Sequence, residues 1–125
     1  MLKKNNILVN KIIENSKKYP NKKIIYDKSN SLTYSQLISC AIANSKKIKK
    51  SKSDYIPILV DRNISTVVSI LSVIFANKIF CPIPNNIPND RINLFINLLK
   101  SDYVINCTKK KINFKKKLKI NLELR

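Results

Sequence analysis

The 125-residue sequence contains no glycine, no histidine and no tryptophan. At an average usage of roughly 7%, a chain of this length would carry about nine glycines. Their absence excludes a Walker-type phosphate loop and a dinucleotide-binding glycine fingerprint. Both bring backbone closer to a phosphate than a side chain beyond Cα allows. The missing histidine removes the commonest general base and the commonest metal ligand. A self-sufficient nucleotide-using enzyme is therefore disfavoured by composition alone. The length suits one domain of modest core, or a piece of a larger one.

Acidic residues are also scarce. Seven Asp+Glu stand against 25 Lys+Arg, a formal net charge of +18. Such a charge suggests nucleic acid, but its make-up argues against that partner. Only three of the basic residues are Arg, the side chain that forks onto phosphate and guanine. Lys, Ile and Asn fill 22, 21 and 17 positions. Their codons are rich in A and T, so an AT-rich genome accounts for these excesses and for the missing Gly together. On this reading the lysines sit on tolerant solvated surface. Two clusters stand out: Lys46, Lys47, Lys49, Lys50 and Lys52, then Lys109 to Lys111 with Lys115 to Lys117 and Lys119.

Cys40, Cys81 and Cys107 are odd in number and widely spaced, with no Cys-x-x-Cys pair. Neither a disulfide framework nor a zinc site is indicated, and buried thiols in a reducing cytosol are expected. The N-terminus lacks a signal-like apolar run. The most apolar stretch, residues 66–76, is well short of the about 20 residues a membrane span requires. It reads as a buried helix, and a cytoplasmic location follows as the expectation.

The hydrophobic spacing gives helix, hairpin, helix, strand, helix, strand, helix, strand. Leu8, Val9, Ile12 and Ile13 mark a first apolar stripe, ended by Pro20. Residues 23–27 read as a strand, 28–31 as a turn and 31–33 as the returning arm. Thr33 and Gln36 form a capping-box pattern for a helix whose inner face is expected to hold Tyr34, Leu37, Ile38, Ala41, Ile42, Ser45 and Ile48. Residues 55–60 read as a buried strand, where Pro57 demands an edge or a strand start. Residues 64–76 form the apolar helix, with Asn77 as a left-handed cap. Residues 79–81 make a short strand. Asp90 is expected to cap a helix over 91–100, with Ile92, Phe95, Ile96 and Leu99 inward. Residues 103–106 are a strand. Residues 108–125 form a Lys-rich tail in which Leu118, Ile120, Leu122 and Leu124 alternate as in a last strand. Strands alternating with helices give an α/β fold with a mostly parallel sheet plus a short hairpin.

These segments also resemble a known family. Tyr19, Pro20, Leu32, Thr33, Tyr34 and Leu37 are similar to the opening of an amino-acid adenylation domain: a Tyr-Pro or Asn-Pro step, a hairpin, then Leu-Thr-Tyr-x-x-Leu. Asp61, Arg62, Ala76, Phe80, Pro82, Ile83, Pro88, Arg91 and Ile92 resemble the second core motif of the same family. The likeness covers about residues 8–107. The family is the AMP-forming adenylating enzymes, which includes nonribosomal peptide synthetase adenylation domains, D-alanine–carrier-protein ligases and acyl-CoA synthetases. The step from Ile87 to Ile92 resembles the amino-acid and D-alanine activators more than the fatty-acyl group. Asn77 stands where the family has Gly, and Pro84 where it has Asp.

The resemblance implies the N-terminal βα layers of an adenylate-forming domain over 1–107. It implies an enzyme class that uses ATP and Mg to turn an amino acid into an aminoacyl-adenylate and passes it to a thiol. The matched residues are framework, so no catalytic, cofactor-binding or metal residue carries over to this chain. The family's Gly-rich loop cannot be built from these residues, and no cofactor is expected on this chain alone. The leading reading is a truncated N-terminal segment of an amino-acid-activating ligase, inactive by itself. Two alternatives stay open: a small basic module for nucleic acid or another anionic surface, and a split subunit that completes a ligase with a second chain. The expected partners are the rest of the ligase and, through it, a carrier protein.

Overall fold

Thr33 fixes where the second helix begins. Its side chain accepts from the Gln36 amide at 3.2 Å, and the Gln36 side chain accepts from the Thr33 amide at 2.9 Å. The expected capping box is complete. The computed structural model in which this is seen describes residues 7–28 and 30–111 and the backbone of residues 117 and 118. The elements run α1 (Ile7–Lys18), β1 (Lys23–Tyr26), β2 (Ser31–Thr33), α2 (Tyr34–Ile48), β3 (Tyr55–Leu59), α3 (Ile64–Phe75), β4 (Ile79–Ile83), α4 (Asn89–Leu99), β5 (Val104–Asn106) and β6 (Lys117–Leu118).

β1 and β2 form the antiparallel hairpin, and the other four strands form a parallel sheet in the order β4-β3-β5-β6. This is the α/β class and the sheet direction that the sequence pattern implies. Of the alternating run after residue 111, residues 117 and 118 pair with β5. Ile120, Leu122, Leu124 and the lysines at 115, 116 and 119 lie outside the described residues.

Three apolar clusters hold the layers. The first joins α1, the hairpin, α2 and α3 through Val9, Leu32, Leu37, Ala41, Ile64, Val68 and Phe75. The second lies between α3 and one face of the sheet, with Ile56, Ile58, Val73 and Ile105. The third lies under α4 on the opposite face, with Leu59, Ile83, Ile92, Ile96 and Val104. Helices on both faces follow from right-handed crossovers that run first from β3 to β4 and then back across to β5.

Several expectations shift at the level of single side chains. Leu8 points outward while Val9 is buried. The inner stripe of α2 holds at Leu37, Ala41, Ser45 and Ile48, but Cys40 and Asn44 are buried beside it and Ile42 is 45% exposed. Asn44 can be buried because its amide donates to the Cys40 carbonyl one turn back, at 2.8 Å. Asp90 is not the cap of α4. The cap position is Pro88, with Asp90 in the first turn, where its charge suits the helix dipole. On α4, Ile92 and Ile96 are buried, but Phe95 is 40% exposed.

Pro57 is neither on an edge strand nor at a strand start: β3 lies between β4 and β5. The geometry makes it harmless. The amide of Val60 donates to Ile83 and the carbonyl of Leu59 accepts from Cys107. By alternation the nitrogen of Pro57 faces β5. The pairing with β5 begins only at Ile58, so Pro57 removes no ladder bond. The carbonyl of Tyr103, just before β5, is bonded by the Ser101 hydroxyl at 2.9 Å. Pro82 solves the same problem differently, because its nitrogen faces the outer edge of β4.

At the amino end of the sheet, Asp102 ties two loops together. It accepts from the Ser51 hydroxyl and, at 2.9 Å, from the Lys52 amide. Beside it, Lys78 donates to the Ser51 carbonyl at 3.0 Å and pairs with Asp54 at 3.7 Å. Burial pushes the Asp102 carboxyl up, but the hydrogen bonds from Lys52, Ser51 and nearby amides outweigh it and hold the group below its ordinary value. A lowered folded-state value means stability that is present above the carboxylate range, about 3.9, and lost as pH falls through the folded value. Asp102→Asn should cost about 1 kcal/mol at neutral pH, a charged hydrogen-bond contribution discounted for solvent. In urea melts the gap between variant and parent should shrink as pH drops toward 3. Equal stability at pH 7 would refute the clamp.

Candidate functional site

Parallel sheets gather their ligand-facing loops at the carboxyl ends of the strands. Here β3 runs into residues 61–63, β4 into Pro84 and Asn85, and β5 into residues 107–110. Between these loops lies a cleft of about 550 Å³, lined by Asp61, Asn63, Asn85, Cys107, Thr108, Lys109 and Lys110.

Asn63 organises the floor. As the N-cap of α3 it accepts from the amide and hydroxyl of Thr66, both at 2.9 Å. Its own amide donates to the Cys107 carbonyl at 2.7 Å, stitching the start of α3 to the end of β5. The Asp61 amide donates to the Thr66 hydroxyl at 3.0 Å. Beyond β5 the loop is knit by Asn106. Its side chain accepts from the Thr108 amide and hydroxyl at 3.0 and 2.7 Å and donates to the Lys110 carbonyl at 2.7 Å. The Lys110 ammonium reaches across to the Ile87 carbonyl at 3.0 Å, which links this loop to the one after β4.

The cleft therefore presents one carboxylate, two ammonium groups and several amides on a braced scaffold. That array can hold a polar ligand. It contains no nucleophile paired with a base: the Cys107 thiol is buried and lies 3.2 Å from the Ser69 hydroxyl. Burial pushes the thiols of Cys40 and Cys81 up. Among the described residues no three His, Cys, Asp or Glu side chains come together as a metal would require.

The family-like motif residues go mostly elsewhere. The Pro20 carbonyl accepts from the Ser35 amide at 3.0 Å and the Lys22 carbonyl from Tyr34 at 3.1 Å, which seats α2 on the turn after α1. Leu32 and Leu37 are in the first cluster, and Ile83 and Ile92 are in the third. Asn77 has φ 58°, the left-handed value expected of it. Of the matched residues, Asp61 alone lines the polar cleft. Sequence reasoning did not foresee Asn85, Thr108 and Lys110 as its companions. Their signal was position, each lying just past a strand's carboxyl end.

No protein-family model matches the chain. Over 72 residues, 56% of its length, it is 31% identical to the nonribosomal peptide synthetase echPS of Aspergillus ruber, and it covers 3% of that protein. Its structure superposes on Klebsiella oxytoca NpsA in complex with 3-hydroxyanthranilyl-AMSN with a TM-score of 0.72 at 16% identity, covering 90% of this chain and 24% of that one. The NpsA N-terminal subdomain with the same compound gives 0.74 at 16% identity, covering 90% and 30%. The nonribosomal peptide synthetase FmoA3, bound to alpha-methyl-L-serine-AMP, gives 0.81 at 12% identity, covering 90% and 14%.

The chain has the fold of the N-terminal part of an adenylation domain.

The sequence resemblance to adenylating enzymes thus holds at the level of fold. This adenylation-type fold spans less than a third of each of these solved chains and a small share of the curated relative. No helix among the described residues is long and apolar enough to cross a membrane.

The stitch at Asn63 generates a test. Asn63→Ala removes a helix cap and should cost about 1–2 kcal/mol in urea unfolding. Asn63→Asp keeps the cap but not the bond to the Cys107 carbonyl, and should lose about 1 kcal/mol. If both variants melt like the parent, the stitch does not hold the cleft together.

Proposed function

We propose that this chain is the framework portion of an amino-acid-activating, AMP-forming ligase, one whose ATP, Mg and catalytic groups sit on polypeptide outside these 125 residues. The observation that carries the reading is the superposition of 90% of the chain on adenylation enzymes, in a sequence with no glycine. The residues present do not fit ATP or Mg. No glycine is available to let backbone approach a triphosphate, and the cleft offers Asp61 as its single carboxylate.

In the proposed ligase an amino-acid carboxylate attacks the α-phosphorus of ATP, forming aminoacyl-AMP and releasing pyrophosphate. The aminoacyl group then passes to a carrier-protein thiol, releasing AMP. The contribution of this chain is mechanical: it supplies the first βα layers on which the active polypeptide builds. Two named likenesses support the chemistry. FmoA3 was solved with alpha-methyl-L-serine-AMP, and NpsA was studied as an adenylation–PCP fusion.

Pyrophosphate exchange tests the proposal. The 125-residue chain with ATP, Mg and amino acids, D-alanine included, should give no exchange above blank. Measured exchange would overturn the framework role. Joined to the polypeptide that completes it, the chain should support exchange driven by an amino acid. Exchange driven by fatty acids alone would overturn the substrate class.

A further inference from the structure

A strand of a parallel sheet is normally covered on both faces, and β4 is covered only in part, with Ile83 its one buried residue. On the α3 side, Phe80 packs onto the cluster of Ile56, Ile58 and Val73. On the other side the side chains of Ile79, Cys81 and Ile83 alternate toward α4. α4 reaches only Ile83, and Ile79 is left 52% exposed. Between β4 and α4 runs an apolar groove of about 480 Å³, floored by Cys81 and Ile83 and walled by Phe95 and Leu98. Leu98 is 67% exposed. Arg91 stands at the rim and has no ion-pair partner among the described residues.

We propose that this groove is the docking site for an amphipathic α-helix with an acidic edge, supplied by the polypeptide that completes the ligase. The proposal rests on the framework reading above. Three observations select the occupant. The gap lies over a strand face beside an existing helix, where the next helix of a two-sided α/β layer packs at about 8–10 Å from its neighbour. Arg91 at the rim calls for a carboxylate. A second copy is disfavoured because each chain carries a net charge of +18. The solved chains that share this fold extend well beyond the matched part, which leaves ample polypeptide to provide such a helix.

Cys81 reports on the groove. It is the partly exposed thiol, while Cys40 and Cys107 are buried. The probe is a 16-residue helical peptide with a leucine stripe at i, i+3, i+4, i+7 spacing and glutamates on one edge, with a twin carrying lysines in their place. The glutamate peptide should slow maleimide labelling of Cys81 in the full chain at least tenfold at saturation, and the lysine twin much less. Phe95→Lys and Leu98→Lys should each abolish the protection. Both positions are exposed enough to keep the fold, which circular dichroism checks. Arg91→Ala should remove the preference for glutamate over lysine.

Unchanged labelling with both peptides would overturn the proposal, as would protection indifferent to Phe95→Lys and Leu98→Lys. Equal protection by the two peptides would overturn the acidic edge. Labelling that slows with protein concentration alone would assign the groove to a second copy and overturn the proposed occupant. No step uses ATP, so docking and pyrophosphate exchange succeed or fail separately.

Discussion

A helix as apolar as α3 must be covered on more than one side, and that requirement shapes the rest of the molecule. Ile64, Val68, Leu71 and Phe75 fall on one stripe and face α1, α2 and the hairpin. Val73 and Ala76 fall on the other and face the sheet. One helix therefore serves two cores, and the hairpin, which could not stand alone, is held because Leu32 enters the first of them. The serines along α3 do not break this arrangement. Ser69 and Ser72 turn their hydroxyls back onto the carbonyls of Ser65 and Val68, so neither brings an unsatisfied polar group into the core.

Building such a fold without glycine has consequences at helix ends. Two described residues adopt left-handed backbone, Asn77 at φ 58° and Lys100 at φ 51°. Asn tolerates that conformation well, because its short polar side chain bonds locally. Lys does not, and its Cβ costs about 1 kcal/mol there. The cost recurs nowhere else among the described residues, because the other connections use turn chemistry that needs no positive φ. After β5, for example, the Asn106 side chain organises the bend through the Thr108 amide and hydroxyl.

The features legible in the sequence were those set by neighbours in the chain. The capping box at Thr33, the cap at Asn77 and the order of helices and strands all depend on residues a few positions apart, and all appear in the fold. The features that escaped depend on distant partners. The bond from Asp102 to Ser51 spans about fifty positions, and nothing local marks either residue. On α2 the exchange of Ile42 for Asn44 on the buried face is likewise set by tertiary packing rather than by local pattern. Pro57 reads locally as an edge residue, and only the late start of the β5 ladder explains why it is tolerated within the sheet. The polar cleft was invisible for the same reason: its residues come from three loops that only the crossover topology brings together.

The two ends of the sheet are built to different purposes. At the amino end two charged groups are tied into the loops: Asp102 binds the Ser51–Lys52 turn, and Lys78 is shared between Asp54 and the Ser51 carbonyl. At the carboxyl end the hydrogen bonds brace the backbone, while the charged head of Asp61 and the side chain of Lys109 remain on the surface. The sheet is thus clamped by side-chain bonds at the end where strands enter and is polar at the end where they leave, the end where ligand-facing loops gather. A chain without glycine or histidine keeps the architecture of an adenylation enzyme because the layers depend on apolar stripes, caps and crossovers, and none of these needs the residues that are missing.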